Sequence, residues 1–108
     1  MPRERNEVVV IMWRDIPAQV NGQTGRVRHQ VVLDAKFQRA IDRAKRKARI
    51  VTAQEDVAQW RRISTPCGGD PAQAAEDTAD RLAAEYSDER LGKLAYNGGL
   101  EPASATDG

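Results

Sequence analysis

Four consecutive β-branched residues, Val8-Val9-Val10-Ile11, run into Met12-Trp13 and stop at Arg14-Asp15-Ile16-Pro17. No other stretch restricts the fold as strongly. Branching at Cβ favours extended backbone. An unbroken apolar run, as opposed to an alternating one, predicts a strand that is central in its sheet or covered on both faces. Pro17 cannot donate a ladder hydrogen bond and holds Ile16 extended. Ile16-Pro17 is therefore expected to form a bend or bulge, after which Ala18–Val20 continues as strand.

A single core must be built around that strand, because 108 residues are one domain's worth of chain. The hydrophobic fraction of 40% and charged fraction of 31% describe a soluble globular domain and not a disordered one. The formal net charge of +1 excludes a global field that would force a nucleic-acid or membrane partner. Cys67 is the only cysteine, so no intramolecular disulfide is available and a cytoplasmic setting is expected. The run Val8–Trp13 is too short to span a bilayer, and Glu4, Asn6 and Glu7 interrupt any signal-peptide pattern.

Asn21-Gly22 with Gly25 supplies positive-φ turn chemistry, and Val27–Leu33 alternates as a half-exposed strand. A bent hairpin follows from these signals. Asp34 can cap a helix whose buried face is Phe37, Ala40, Ile41, Ala44 and Ala48. Thr52-Ala53-Gln54-Glu55 is a capping box that opens a second helix with Ala53, Val57 and Trp60 as its apolar stripe. Ser64–Gly69 reads as loop. Asp70-Pro71 restarts helix with Pro in the first turn; Ala75, Ala79, Leu82 and Tyr86 form its buried stripe. Ser87 can cap a last helix carrying Leu91, Leu94 and Tyr96, stopped by Asn97-Gly98-Gly99. The expected fold is α+β: a two- or three-stranded antiparallel sheet at the N-terminus, formed as a bent hairpin and covered by three to four helices. Its domain spans residues 7–100, between a flexible N-terminus (1–6) and a disordered tail (101–108). The core aromatics are expected to be Trp13, Phe37 and Trp60.

The chemistry-bearing residues are few. Arg14 and Asp15 stand where a buried strand gives way to a Pro bend, a good place for side chains that bind. Arg14 could grip a carboxylate or phosphate bidentately, and Gln19 adds an amide that donates and accepts. The same three residues could equally hold the bend together. His29 is the sole histidine, with no Cys or carboxylate at ligand spacing, so no metal is expected. It also lacks a partner nucleophile for general-base work. Cys67 lies near a helix start, which lowers a thiol pKa, but Asp70 opposes that effect. Gly68-Gly69 fits neither phosphate-loop nor dinucleotide patterns.

Charge is segregated. Residues 34–51 carry seven cations against two carboxylates, a net +5, and residues 70–90 carry seven carboxylates against two cations, a net −5. The basic helix 36–49 could follow a phosphate backbone. Its cations are not expected to share one stripe, and few aromatics interleave them. A solvated face, or one that neutralises the acidic helix, is the plainer expectation.

The string Ile11-Met12-Trp13-Arg14-Asp15-Ile16-Pro17-Ala18-Gln19-Val20 resembles the opening of small bacterial proteins of the virulence factor family, a domain also found in conserved virulence factor C. The similarity continues through Gly25-Arg26, Phe37-Gln38, Ala40-Ile41-Asp42, Trp60-Arg61, Ala84-Glu85-Tyr86 and Asn97-Gly98-Gly99. The family name describes a phenotype and implies no reaction. The resemblance implies a setting in folate and corrinoid one-carbon metabolism and carries over no catalytic residue.

Small size, the lack of a paired catalytic constellation and the segregated charge together point to a non-enzymatic accessory or protein-interaction module. It is expected to be cytoplasmic, with a protein partner, no membrane and no cofactor, and with Arg14, Asp15 and Gln19 as candidate functional surface. One alternative is a small enzyme or ligand-binding subunit using Trp13-Arg14-Asp15. Another is nucleic-acid binding through residues 36–49.

Overall fold

The computed structural model describes residues 5–101. Chain order is β1 (Asn6–Trp13), β2 (Ile16–Thr24), β3 (Val27–Val32), α1 (Ala35–Ala48), α2 (Ala53–Val57), β4 (Trp60–Pro66), α3 (Pro71–Glu85) and α4 (Asp88–Tyr96). The strands form one antiparallel sheet in the order β3-β2-β1-β4. The β-branched run is thus a central strand, paired on both sides. Helix α3 packs across β2, β3 and β1, and α1 packs on β2 and α4. The architecture is α+β, a four-stranded antiparallel sheet with four helices.

The hairpin β1–β2 closes through the two residues Arg14-Asp15, because Trp13 is register partner of Ile16. Register then slips by one: Met12 pairs with Pro17 and Ile11 with Gln19. Ala18 is the extra residue of a bulge, placed next to the proline that cannot donate. The bulge adjusts which side chains reach the helices. Trp13, Ile16, Val20 and Val8 all join one core with Phe37, Ala40, Ile41, Ala44, Ala75, Leu82, Leu91 and Leu94.

Four helix starts are capped by the residues the sequence singles out. Asp34 accepts from Lys36 N at 2.9 Å, Asp70 from Ala72 N at 3.0 Å and Ser87 from Arg90 N at 3.1 Å. Thr52 and Glu55 complete the reciprocal capping box. Each satisfies a backbone N–H that has no partner within its own helix.

Three expectations are corrected. First, Asn21-Gly22 is not the turn. It lies inside β2, and Gly25-Arg26 makes the turn to β3. Gly22 is required there by space: a Cβ would lie 2.2 Å from the carbonyl oxygen of Pro71 at the start of α3. Second, the capping box opens only the five residues of α2, and Trp60 begins an edge strand. Trp60 is 37% exposed and so is not a core aromatic, whereas Trp13 is 0% and Phe37 1%. Third, Ser64–Pro66 belongs to β4 and is not loop. At the ends, Asn6 is held by a 2.8 Å bond to the Gly69 carbonyl, and the Glu101 N–H is bonded at 2.7 Å to Asp15. The remaining terminal segments, 1–4 and 102–108, lie outside the described residues.

Candidate functional site

Where β1 ends, side chains distant in sequence converge on one carboxylate. Asp56, within α2, accepts the Trp13 indole N–H at 2.8 Å and the Trp60 indole N–H at 3.3 Å. Lys45 of α1 pairs with it at 3.0 Å. The same Lys45 ammonium lies 5.8 Å from the Trp13 ring centroid and 5.6 Å from that of Trp60, within cation–π range. One carboxylate therefore ties α1, α2, β1 and β4 together. A buried tryptophan needs an acceptor for its N–H, and Asp56 is that acceptor.

The bond from Lys45 holds the Asp56 carboxyl below its ordinary range; partial burial opposes this, and the two indole N–H groups add to the lowering. A carboxyl lowered on folding contributes stability above its unfolded pKa and loses it as pH falls through the folded value. Asp56→Asn is therefore expected to cost about 1–3 kcal/mol at neutral pH. In denaturant titrations the gap to the parent should narrow as pH drops below about 4. A gap independent of pH would contradict this role.

Arg14 and Asp15 form the other half of the sheet end. Arg14 sits at φ 50, a left-handed conformation that tight hairpin turns demand and that non-glycine residues adopt at a cost. Its backbone N–H donates to the Gln59 carbonyl at 3.0 Å. Its Nε donates to Gln59 Oε1 and its Nη1 to the Gly98 carbonyl, both at 2.9 Å. Asp15 donates its N–H to the Gly99 carbonyl at 2.8 Å. Its carboxylate accepts from Arg61 at 3.0 Å and from Glu101 N at 2.7 Å. The turn thus anchors the Asn97-Gly98-Gly99 segment and the start of β4. Gln19 lies apart from this pair, on the sheet face opposite the core residue Val20, and donates to Asn21 at 3.3 Å.

These bonds give a test that separates side chain from backbone. Arg14→Ala keeps the left-handed conformation and loses the guanidinium, so it should cost about 2–3 kcal/mol. Arg14→Gly loses the same bonds but relieves the backbone, and should be less damaging by about 1 kcal/mol. Equal losses in thermal unfolding would show that the turn is not strained.

The other singled-out residues are dispersed. His29 contacts Glu76 of α3 at 3.2 Å on the surface. Cys67 is half-buried and borders a small cavity of about 170 Å3 with Val8, Val10, Ala74 and Thr78. Among the described residues no group of three or more His, Cys, Asp or Glu could hold a metal ion, and no helix is long and apolar enough to cross a membrane.

The basic helix departs from expectation. Five of its cations do share one side: Lys36, Arg39, Arg43, Arg46 and Lys47 border the depressions between α1 and α4. Residues separated by three, four or seven positions stack along one helix face, a spacing hidden when all the cations of residues 36–49 are counted together. Nor does this face neutralise α3. No ion pair joins α1 to α3 among the described residues, and Arg39, Arg43 and Arg46 make none at all there.

The molecule is thus a small α+β domain: a four-stranded antiparallel sheet with one end hydrogen-bonded shut, and helices presenting separate basic and acidic faces. The chain belongs to the virulence factor family, whose model, described as "Virulence factor", matches residues 11–95. No curated protein and no solved structure compared with the chain matches it.

Proposed function

We propose that this virulence factor family domain is a non-enzymatic accessory module that binds a partner protein through the basic face of α1. One observation carries the reading: Arg39, Arg43 and Arg46 line up on one face with no carboxylate in ion-pair range among the described residues. Such a face contributes little to folding but steers and orients a complementary partner. Arg14 and Asp15 serve as the fixed end that holds the start of β4 and the segment after α4, and Gln19 braces its own strand through Asn21. The setting we propose is the cytoplasm, with a partner in folate or corrinoid one-carbon metabolism. The near-neutral charge of the whole chain favours a protein partner over nucleic acid or membrane.

The test is affinity capture from native cytoplasm with the full chain and with the triple variant Arg39→Glu, Arg43→Glu, Arg46→Glu. The parent should retain a discrete, stoichiometric protein that the variant loses. Oligonucleotide binding should be weak and abolished by added salt. Turnover of a small molecule, or tight sequence-selective oligonucleotide binding at physiological salt, would overturn the proposal.

A further inference from the structure

Helices α1 and α4 leave a groove of about 350 Å3 between them, lined by Arg43, Arg46, Lys47, Gly92, Ala95 and Tyr96. A second depression continues it past Arg39 and Arg43 to Leu91 and Gly92. Its walls are cationic and its floor is apolar. Gly92 makes that floor low. It sits in the middle of α4, with a helical φ and no heavy atom within 4 Å of where its Cβ would be. Neither the packing nor the backbone of α4 requires a glycine there, and a side chain would stand in the groove. Tyr96 closes one end, 77% exposed, its ring capped by the Lys47 ammonium at 4.2 Å.

From this we infer that the groove receives an acidic amphipathic helix of the partner protein. The inference rests on the interaction-module reading and names its surface and ligand chemistry. Two packed helices present a natural seat for a third. Arg39, Arg43 and Arg46 are spaced at i, i+4 and i+7, so carboxylates repeating with the same helical period can meet them, and guanidinium groups take carboxylates bidentately. An apolar residue on the incoming helix fills the space above Gly92 and Ala95. A phosphate backbone fits less well. Asp88 borders the second depression, and Asp42 and Glu89 line adjoining ones, where they would repel a continuous anion but leave room for discrete carboxylates.

The experiment selects binders to the intact chain from a displayed library of random helical peptides and measures the enriched peptide by fluorescence anisotropy. Enriched sequences should combine Asp or Glu with Leu, Ile or Phe at helical spacing. Gly92→Leu, which blocks the floor and leaves every cation in place, should weaken binding at least about tenfold, as should Arg39→Glu with Arg43→Glu. Its melting temperature should be unchanged or higher, since glycine is a poor helix former. Gly92→Ala, with one methyl, should fold as well and bind with a smaller loss. Three outcomes overturn the inference: enriched peptides that are neutral or basic, affinity that Gly92→Leu leaves unchanged, and displacement of the peptide by a 12-nucleotide single-stranded oligonucleotide at physiological salt. Self-association that rises with concentration and is abolished by Gly92→Leu would give the groove to a second copy, and would also overturn it. Capture of a native partner undiminished by Gly92→Leu would reject the groove while leaving the module reading intact.

Discussion

Phe37→Ala is expected to lose about 3–5 kcal/mol in chemical denaturation, the cost of a large core cavity. Phe37 is buried in the first turns of α1, its ring centroid 5.9 Å from that of Tyr86 at the end of α3. It therefore bridges two helices over the sheet, and its removal opens space that neither can close alone. Trp60→Ala should cost only about 1–2 kcal/mol, because the ring is part-exposed on an edge strand and gives up one hydrogen bond to Asp56. The contrast separates the observed fold from one in which Trp60 closes the core. A Phe37→Ala loss below about 1 kcal/mol would take it out of the core. Equal losses at both positions would return Trp60 to it.

Gly99→Ala should be comparably damaging, for a different reason. Gly99 has φ 90, where an L side chain is strained by about 1–3 kcal/mol. A Cβ there would lie 2.6 Å from Cζ3 of the Trp13 ring. That ring is pinned by Asp56 and cannot retreat, so overpacking adds about 1–3 kcal/mol more. A combined loss of roughly 2–6 kcal/mol in thermal or urea unfolding is expected, with a change in the near-ultraviolet signal of Trp13. A loss under about 1 kcal/mol would mean that the Gly98-Gly99 segment does not pack on Trp13.

Elements with local signatures were legible in the sequence. Asp34, Thr52, Asp70 and Ser87 each announce a helix start through a side chain that bonds within three residues, and each does so in the fold. Val8–Ile11 announces a strand by branching, and its central place by the unbroken apolar run it opens. Elements defined by distant partners were not legible. Asn21-Gly22 carries a hairpin signature, yet the glycine answers to Pro71, about fifty positions away. Trp60 completes a helical stripe with Ala53 and Val57, but its strand is set by pairing with Trp13. An edge strand reading Trp-Arg-Arg-Ile-Ser-Thr-Pro has no burial pattern to reveal it, and its arginines and proline are what protects such an edge.

The sheet end follows the same logic. Arg14 and Asp15 stand out locally, by the break from apolar to charged. Their partners Gln59, Arg61, Gly98 and Glu101 come from two other regions of the chain. Asp56 carried no local mark, although the need of Trp13 for a hydrogen-bond acceptor signals that some such residue exists. On α1 the stripe is written in the helical period: Lys36, Arg39, Arg43, Arg46 and Lys47 each stand three, four or seven positions from another of the set.

On the proposed function, scaffold and binding surface are separate: the sheet end at Arg14-Asp15 holds the fold, and the basic face of α1 meets the partner. The most direct measurement records melting temperature and partner capture side by side. The variants are Arg14→Ala, Asp15→Ala, Gln19→Ala and the triple reversal at Arg39, Arg43 and Arg46. Arg14→Ala and Asp15→Ala should melt earlier yet retain the partner below their transitions, with Gln19→Ala close to the parent in both. The triple reversal should melt within a few degrees of the parent, since exposed charges contribute little, and should lose the partner. The opposite pattern, with capture lost in well-folded Arg14→Ala or Asp15→Ala and kept by the triple reversal, would place the functional surface at the sheet end and contradict that separation.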